Sequence, residues 1–259
     1  MSKIITFGNS AYIEVAKLWL KYISKLDLMK NVSIIALDEQ IKKELSKYNV
    51  DIIDAGYDIK SKGINDFWKF RCEIFLEIYK KYGSFIHSDL DAIWLKNPIT
   101  YLKNIENNLI FSQGTIHPLK VFKKFGIVAC CGFFQVNESA ASKLFLKKLI
   151  SDDELYGDDQ ESVNNILFKN KINLNFKNPY HEKITFNNKE SYSLKCSNLP
   201  ICGELKNFYG QKLSIAYLPH KFFTRVNNLI NKDTIVAHPL TAKNNEDKLK
   251  TFKELHILI

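Results

Sequence analysis

The sequence predicts an α/β protein with a Rossmann-like, mostly parallel sheet flanked by helices and an irregular C-terminal half. Short apolar runs alternate with segments of helical periodicity through the first 90 residues. Strands separated by helices are joined by crossovers, which make a parallel sheet covered on both faces. A chain of 259 residues with 46% hydrophobic content is long enough to bury a full core as one unit.

The elements follow in order. Residues 4–7 form a short apolar strand ended by Gly8-Asn9. Between 11 and 28, Ala16, Trp19, Leu20, Ile23 and Leu26 recur at helical spacing. Residues 32–37 read as a buried strand, 39–48 as a short helix and 50–53 as a third strand. Asp66 is expected to cap a helix whose apolar stripe is Phe67, Phe70, Ile74 and Ile78, with Lys69–Glu73 and Glu77–Lys81 paired along it. Gly83 stops that helix, and 84–87 opens another strand. Beyond it, 127–136 reads as a strand and 139–150 as a helix. Asp158 is placed to cap a helix through Val163 and Leu167. Residues 170–217, rich in Asn and Lys, read as short strands and loops, and 245–255 as a helix with Leu249, Phe252 and Leu255 on one side. There is no internal repeat and no Gly-, Pro- or Ser-rich linker, so 1–259 reads as a single domain.

Composition narrows the function. No stretch approaches 18 apolar residues, which excludes a transmembrane helix. The start, Met1-Ser2-Lys3-Ile4-Ile5-Thr6, reaches polar Asn9-Ser10 too soon for a signal peptide, so a cytoplasmic protein is expected. Cys72, Cys130, Cys131, Cys196 and Cys202 are odd in number and show no CxxC, which favours reduced thiols over bridges or zinc. Net charge is +9, yet Arg71 and Arg225 are the only arginines. Arginine is the usual reader of bases, so nucleic acid is not an expected partner. A basic surface also suits a diphosphate ligand and contact with an anionic membrane. The run 117–125, with His117, Lys120, Phe122, Lys123 and Lys124, is expected to be an exposed loop, with peripheral membrane contact as the alternative.

The sharpest chemical signal is Phe85-Ile86-His87-Ser88-Asp89-Leu90-Asp91-Ala92-Ile93-Trp94, running on to Pro98. A strand leaves the sheet and ends in two carboxylates one residue apart. Ligands of open α/β sheets bind at the carboxyl ends of strands. Paired acids there make an oxygen-rich site for Mg²⁺ or Mn²⁺, and that cation can bridge a diphosphate.

On these residues the chain resembles the Asp-x-Asp nucleotide-diphospho-sugar transferases of the GT-A fold, which include plant arabinosyl- and xylosyltransferases and bacterial or viral relatives. The resemblance runs over roughly 4–255 through several spaced motifs. It implies a nucleotide-binding half at 1–98 and a sugar- and acceptor-binding half at 99–259. Thr6, Phe7, Gly8 and Asn9, at the end of the first strand, lie where the family holds the nucleoside. Trp68-Lys69-Phe70-Arg71 is similar to its Lys-bearing helix, which turns Lys69, with Arg71, toward the nucleotide. Gly132-Phe133-Phe134 is similar to the family's sugar-pocket strand, although Cys130-Cys131 stand where many relatives carry a polar residue. Gly157-Asp158-Asp159-Gln160 resembles the Asp-Gln motif near the reacting carbon or acceptor, and Asp159 is the candidate catalytic group. His238 matches the late histidine that joins Asp89 and Asp91 on the metal. Lys243 follows as a phosphate contact, with no glycine across 240–245.

The resemblance implies a donor such as a UDP- or GDP-sugar, a glycan or glycolipid acceptor, and retention slightly ahead of inversion. An aspartate-phosphate hydrolase would want Gly-Thr after its acidic pair, where this chain has Ala92-Ile93-Trp94. A nucleotidyltransferase would want a Gly-rich loop after the first strand, where it has Phe7-Gly8-Asn9-Ser10. A binding protein with a degenerate transferase site is the alternative.

Overall fold

The computed structural model describes residues 2–57, 64–151, 157–186, 190–241 and 244–257. Its first part follows the expected alternation: β1 (Lys3–Gly8), α1 (Ile13–Lys25), β2 (Val32–Ala36), α2 (Glu39–Leu45), β3 (Asp51–Asp54), α3 (Ile64–Tyr82) and β4 (Phe85–Ser88). Helix α1 buries Val15, Ala16, Trp19, Leu20 and Ile23, the stripe its periodicity announces. Asp38 caps α2, its carboxylate accepting from the Ile41 amide at 2.9 Å. Helix α3 begins before Asp66, which therefore sits in the first turn and not at the cap; a carboxylate there still suits the helix dipole. Its buried side is also rotated from the expected stripe. Arg71, Cys72 and Phe75 turn inward while Phe70 and Ile74 are only partly buried, because the rings of Phe7, Phe85 and Phe134 pack around Phe75. Glu77 pairs with Lys80 at 2.6 Å, one residue nearer than foreseen. Gly83, at φ +73°, ends the helix with its amide on the Tyr79 carbonyl.

The central sheet has nine described strands in the order β3-β2-β1-β4-β7-β6-β12-β11-β8. Its later members are β6 (Leu109–Gln113), β7 (Ala129–Val136), β8 (Asn173–Asn175), β11 (Ile201–Phe208) and β12 (Gln211–Leu218). Among these strands only β7 and β11 run against the rest. The two-residue period of a strand divides the core between the faces. Ile5, Phe7, Phe85 and Phe134 meet α3, α6 (Ala140–Leu149) and α7 (Asp159–Lys169) on one side. Ile4, Ile86 and Phe133 meet α1, α2 and α8 (Asn245–Glu254) on the other, where Phe252 is fully buried with Leu249 and Leu255 at its flanks.

The stretch 170–217 is more regular than its composition suggests. It holds β8, the antiparallel pair β9 (Tyr180–Phe186) and β10 (Glu190–Cys196), and the β11–β12 hairpin. The hairpin turns through Tyr209 and Gly210 at φ +49° and +85°, the positive-φ pair of a tight two-residue loop. Strand β11 buries Ile201, Leu205 and Phe208 while Lys206 and Asn207 both face solvent where its register against β12 shifts, which breaks the two-residue alternation. Past the single turn α4 (Ile99–Leu102), residues 119–125 likewise form a helix, α5 (Leu119–Phe125), with Val121 and Phe122 buried, and not a loop.

A second small sheet sets the geometry of the site. It orders β13 (Phe223–Thr224), β14 (Val236–Ala237) and β5 (Ile93–Trp94), and so ties the late chain to the turn just after the acidic pair. Among the described residues no helix is long and apolar enough to cross a membrane. All five cysteines are free.

Candidate active site

Register brings the pieces together. Strand β4 pairs antiparallel with β7, Ser88 opposite Phe133, and the Asp89 amide donates to the Gly132 carbonyl at 2.7 Å. The chain then turns, Ala92 donating back to the Asp89 carbonyl, and enters β5. Strand β14 runs antiparallel to β5 with Ala237 opposite Ile93, so the residue leaving β14 lies beside the acids that precede β5. That residue is His238. Its Nε2 lies 3.1 Å from Asp91 Oδ1 and 4.0 Å from Asp89 Oδ2. One ligand atom from each of the three residues falls within 4.8 Å of the others. Gly132 makes the room: a Cβ there would lie 2.0 Å from His238 Cε1 and 2.8 Å from Asp89 Oδ2.

The other carboxylate oxygens are already engaged. Asp89 Oδ1 accepts from Arg71 Nη2 at 2.9 Å and lies 3.0 Å from His87 Nε2. Asp91 Oδ2 accepts from Lys248 of α8, whose ammonium also reaches Thr241 Oγ1 at 3.1 Å. Each acid thus turns a single oxygen toward His238. Burial raises the Asp89 carboxyl, but the Arg71 charge and the His87 contact outweigh it and hold it well below the usual carboxylate range. Burial likewise opposes ionisation of Asp91, and the His238 and Lys248 charges override it. The His238 imidazole is pushed down by burial and by Arg225, yet its net direction is upward because Asp91 accepts from it. His87, fully buried and beside Arg71, is pushed down to about 4 and is neutral near pH 7.

Arg71 is the hub. Buried among the rings of Phe7, Trp68 and Phe75, it holds Asp89, the Cys131 carbonyl at 3.2 Å, and Asp159, whose Oδ2 lies 3.2 Å from Nε. That last contact is an ion pair without hydrogen-bond alignment, since neither atom has a hydrogen-bond partner among the described residues. Burial pushes the Asp159 carboxyl up to about 6 despite Arg71.

Beside this cluster opens a cleft of about 490 Å³, walled by Trp68, Thr115, His117, Asp158, Asp159, Gln160, Arg225 and Leu240 among others. Asp158 caps α7 through the Glu161 amide at 2.7 Å and meets His117 Nε2 at 3.1 Å. Gln160 accepts from the Cys131 amide and donates to the His117 carbonyl, fixing both walls. Gly132 lines the cleft, but the Phe133 side chain does not. It is fully buried against Trp94 and Phe223 on the opposite face of β7, because consecutive strand residues point opposite ways. Thr6, Phe7, Gly8 and Asn9 end β1 as foreseen, outside the lining of this cleft. Phe7 packs on Phe67, Phe75 and His87. Gly8 is hemmed by Ile41, whose Cδ1 would lie 2.7 Å from a Cβ, so helix packing accounts for the glycine. Asn9 Oδ1 and Thr6 Oγ1 are buried polar atoms without a partner among the described residues. Lys69 is half-buried on α3, where Trp68 and Arg71, not Lys69, line the cleft. Lys243 lies outside the described residues.

Residues 27–252 match the profile of the nucleotide-diphospho-sugar transferase family. The chain belongs to this family. The chain is also similar to Arabinosyltransferase XEG113 of Arabidopsis thaliana, 26% identical over 182 residues, covering 63% of this chain and 28% of that protein. It therefore spans little more than a quarter of that relative. Among solved structures, the bifunctional glycosyltransferase WbbM superposes with a TM-score of 0.53 at 10% identity over 99% of this chain and 51% of that one. An active-site mutant of LgtC superposes with 0.50 at 12% identity, covering 97% and 95%. These likenesses bear on the fold, which is of the GT-A type.

For a nucleotide-diphospho-sugar transferase the site holds three residues that motif reading did not assign. Arg225 follows β13, and the His238 amide donates to the Thr224 carbonyl beside it; Arg225 Nη1 lies 2.8 and 2.9 Å from the two ring nitrogens of His238 and 3.2 Å from Cys130 Sγ. Burial raises the Cys130 thiol, but Arg225 and His238 draw it down to about 6. Lys248 and His87 complete the set. The rarity of arginine was a usable signal, since both arginines of the chain converge here. Lys248 carried none, being one lysine among many.

Proposed function

We propose that this chain transfers a sugar from a nucleoside-diphosphate donor to a hydroxyl of a glycan or glycolipid, with Mn²⁺ or Mg²⁺ held by Asp89, Asp91 and His238. One observation carries the reading: three ligand atoms converge within 4.8 Å at the carboxyl end of β4, against a cleft large enough for a sugar. The donor set of two carboxylate oxygens and an imidazole suits a hard or borderline divalent cation. Asp89 Oδ2, Asp91 Oδ1 and His238 Nε2 are the atoms that would hold it. When bound, the cation would neutralise negative charge on the departing nucleoside diphosphate.

The protein's own groups do the rest. Arg71 and Lys248 fix the outer carboxylate oxygens, so the inner ones are oriented before any ligand arrives. Gln160 and Asp158 hold the loop at His117 that forms the far wall of the cleft. Asp159 sets a carboxylate on the cleft wall, its affinity for a proton raised by burial. In an inverting route that group takes the acceptor proton. In a retaining route, toward which the resemblance leans, it stabilises positive charge at the reacting carbon.

The test is a panel of UDP- and GDP-sugars with Mn²⁺, with and without chelator, read as nucleoside-diphosphate release and transfer. Wild-type turnover should require the cation, and Asp89→Ala with Asp91→Ala should abolish it. Undiminished turnover in that double variant rejects the site. Metal-dependent nucleotide binding with neither hydrolysis nor transfer would mark a binding protein instead.

A further inference from the structure

Among the described residues that line the cleft, Arg71 and Arg225 are the two permanent cations, and they are not equivalent. Arg71 is buried and largely committed: Nη2 serves Asp89, His87 and the Cys131 carbonyl and Nε faces Asp159, which leaves only Nη1 over, too little for a two-point grip. Arg225 is half-buried and engages through Nη1 alone, on Cys130 and His238. Its Nε and Nη2 make no hydrogen bond or ion pair among the described residues. A guanidinium anchored at one corner, with the rest of its planar fork open to a cleft, is built to grip a tetrahedral oxyanion at two points.

Position selects the anion. Nη1 lies 2.9 Å from His238 Nε2, the atom offered to a cation, so any anion sharing that cation comes within reach of the same guanidinium. Strand pairing fixes this neighbourhood, since Thr224 sits opposite Ala237 in parallel register and the next residues are Arg225 and His238. Lys248 is no rival for the role, because its ammonium is spent on Asp91 and Thr241.

We propose that Arg225 is the residue that grips the donor's diphosphate, taking phosphoryl oxygens with Nε and Nη2 while Nη1 stays docked on Cys130. This rests on the transferase reading above. It makes Cys130 a positioning residue, whose sulfur holds the guanidinium at the angle the fork requires.

The experiment is calorimetric titration of inorganic pyrophosphate in the presence of Mn²⁺, and of Mn²⁺ alone, into wild type, Arg225→Gln and Arg225→Lys. Pyrophosphate affinity should fall on the order of 10- to 100-fold in the glutamine variant. The lysine variant should recover only part of it, because a point charge does not replace a fork. Mn²⁺ alone should bind the variants as tightly as wild type or more tightly, since a nearby positive charge has gone; a merely structural arginine would weaken both ligands together. Pyrophosphate binding equal to wild type in both variants overturns the assignment and leaves the transferase reading standing. A wild type that binds Mn²⁺ but not pyrophosphate overturns both.

Discussion

Replacing Gly132 with alanine tests the site without touching a charged group. The added Cβ would lie 2.0 Å from His238 Cε1, 2.6 Å from Nδ1 and 2.8 Å from Asp89 Oδ2, where ordinary contact begins at 3.4 Å. The imidazole must retreat by about 1.4 Å, the difference between those two distances. Metal–ligand bonds tolerate only about 0.2 Å, so His238 leaves the set. Even outer partners of metal ligands are worth roughly 10- to 100-fold in affinity, and the loss of a ligand should cost at least that much. The overpacking itself should destabilise the fold by about 1–3 kcal/mol, which lowers Tm by roughly 2–12 °C for a chain of this size. The assay is Mn²⁺ titration followed by calorimetry or electron paramagnetic resonance, with a thermal melt confirming that the variant is folded. An alanine variant that melts a few degrees lower yet binds Mn²⁺ as wild type does would refute the reasoning, because the cradle would then not depend on the missing side chain.

Three further outcomes follow from the same contacts. Asp159→Asn should bind Mn²⁺ and nucleotide within a few-fold of wild type while turnover falls by about 10²–10⁴, read by nucleoside-diphosphate release; full turnover removes Asp159 from the chemistry. Lys248→Met should lower the Tm of the metal-free protein, at the low end of the ~3–5 kcal/mol for breaking a buried pair because His238 remains on Asp91, and should weaken Mn²⁺ binding by roughly 10-fold or more because Asp91 loses the partner that orients it. Mn²⁺ binding as tight as wild type in that variant would contradict the orienting role of the ammonium. His220 is fully buried, has no partner on either ring nitrogen among the described residues, and is pushed down to about 4 by burial and Arg225. A base whose folded value is depressed adds stability above its ordinary 6.5 and loses it as pH falls through 4. Denaturant melts should therefore lose up to about 3 kcal/mol across that window, and His220→Phe should flatten the loss.

Legibility differed by kind of signal. The strand–helix alternation of 4–88 and the Asp89–Asp91 pair could be read directly, because buried strands and amphipathic helices have distinct periods and carboxylates after an apolar strand have few structural uses. The bounds of α3 were less legible: Asp66 looks like a cap, but the helix begins before it, and the rings around Phe75 decide which face turns inward. Strand β11 was hidden by a break in its alternation, since Lys206 and Asn207 both face solvent between buried Leu205 and Phe208, where its register against β12 shifts. Phe133 and Phe134 were inseparable in sequence, and only the strand's two-residue period assigns one to each face. His238 was placed by resemblance, and the β5–β14 register supplies the physical reason. Arg225 depends on a parallel pairing of two residues in β13 and β14, too short to leave any pattern.

The measurement that bears most directly on the central claim is a crystal structure with Mn²⁺ and UDP or GDP. The account predicts a cation bonded to Asp89 Oδ2, Asp91 Oδ1 and His238 Nε2 at about 2.0–2.2 Å, with phosphate oxygens completing the shell. A nucleotide bound elsewhere, with no cation between Asp89 Oδ2, Asp91 Oδ1 and His238 Nε2, would contradict it.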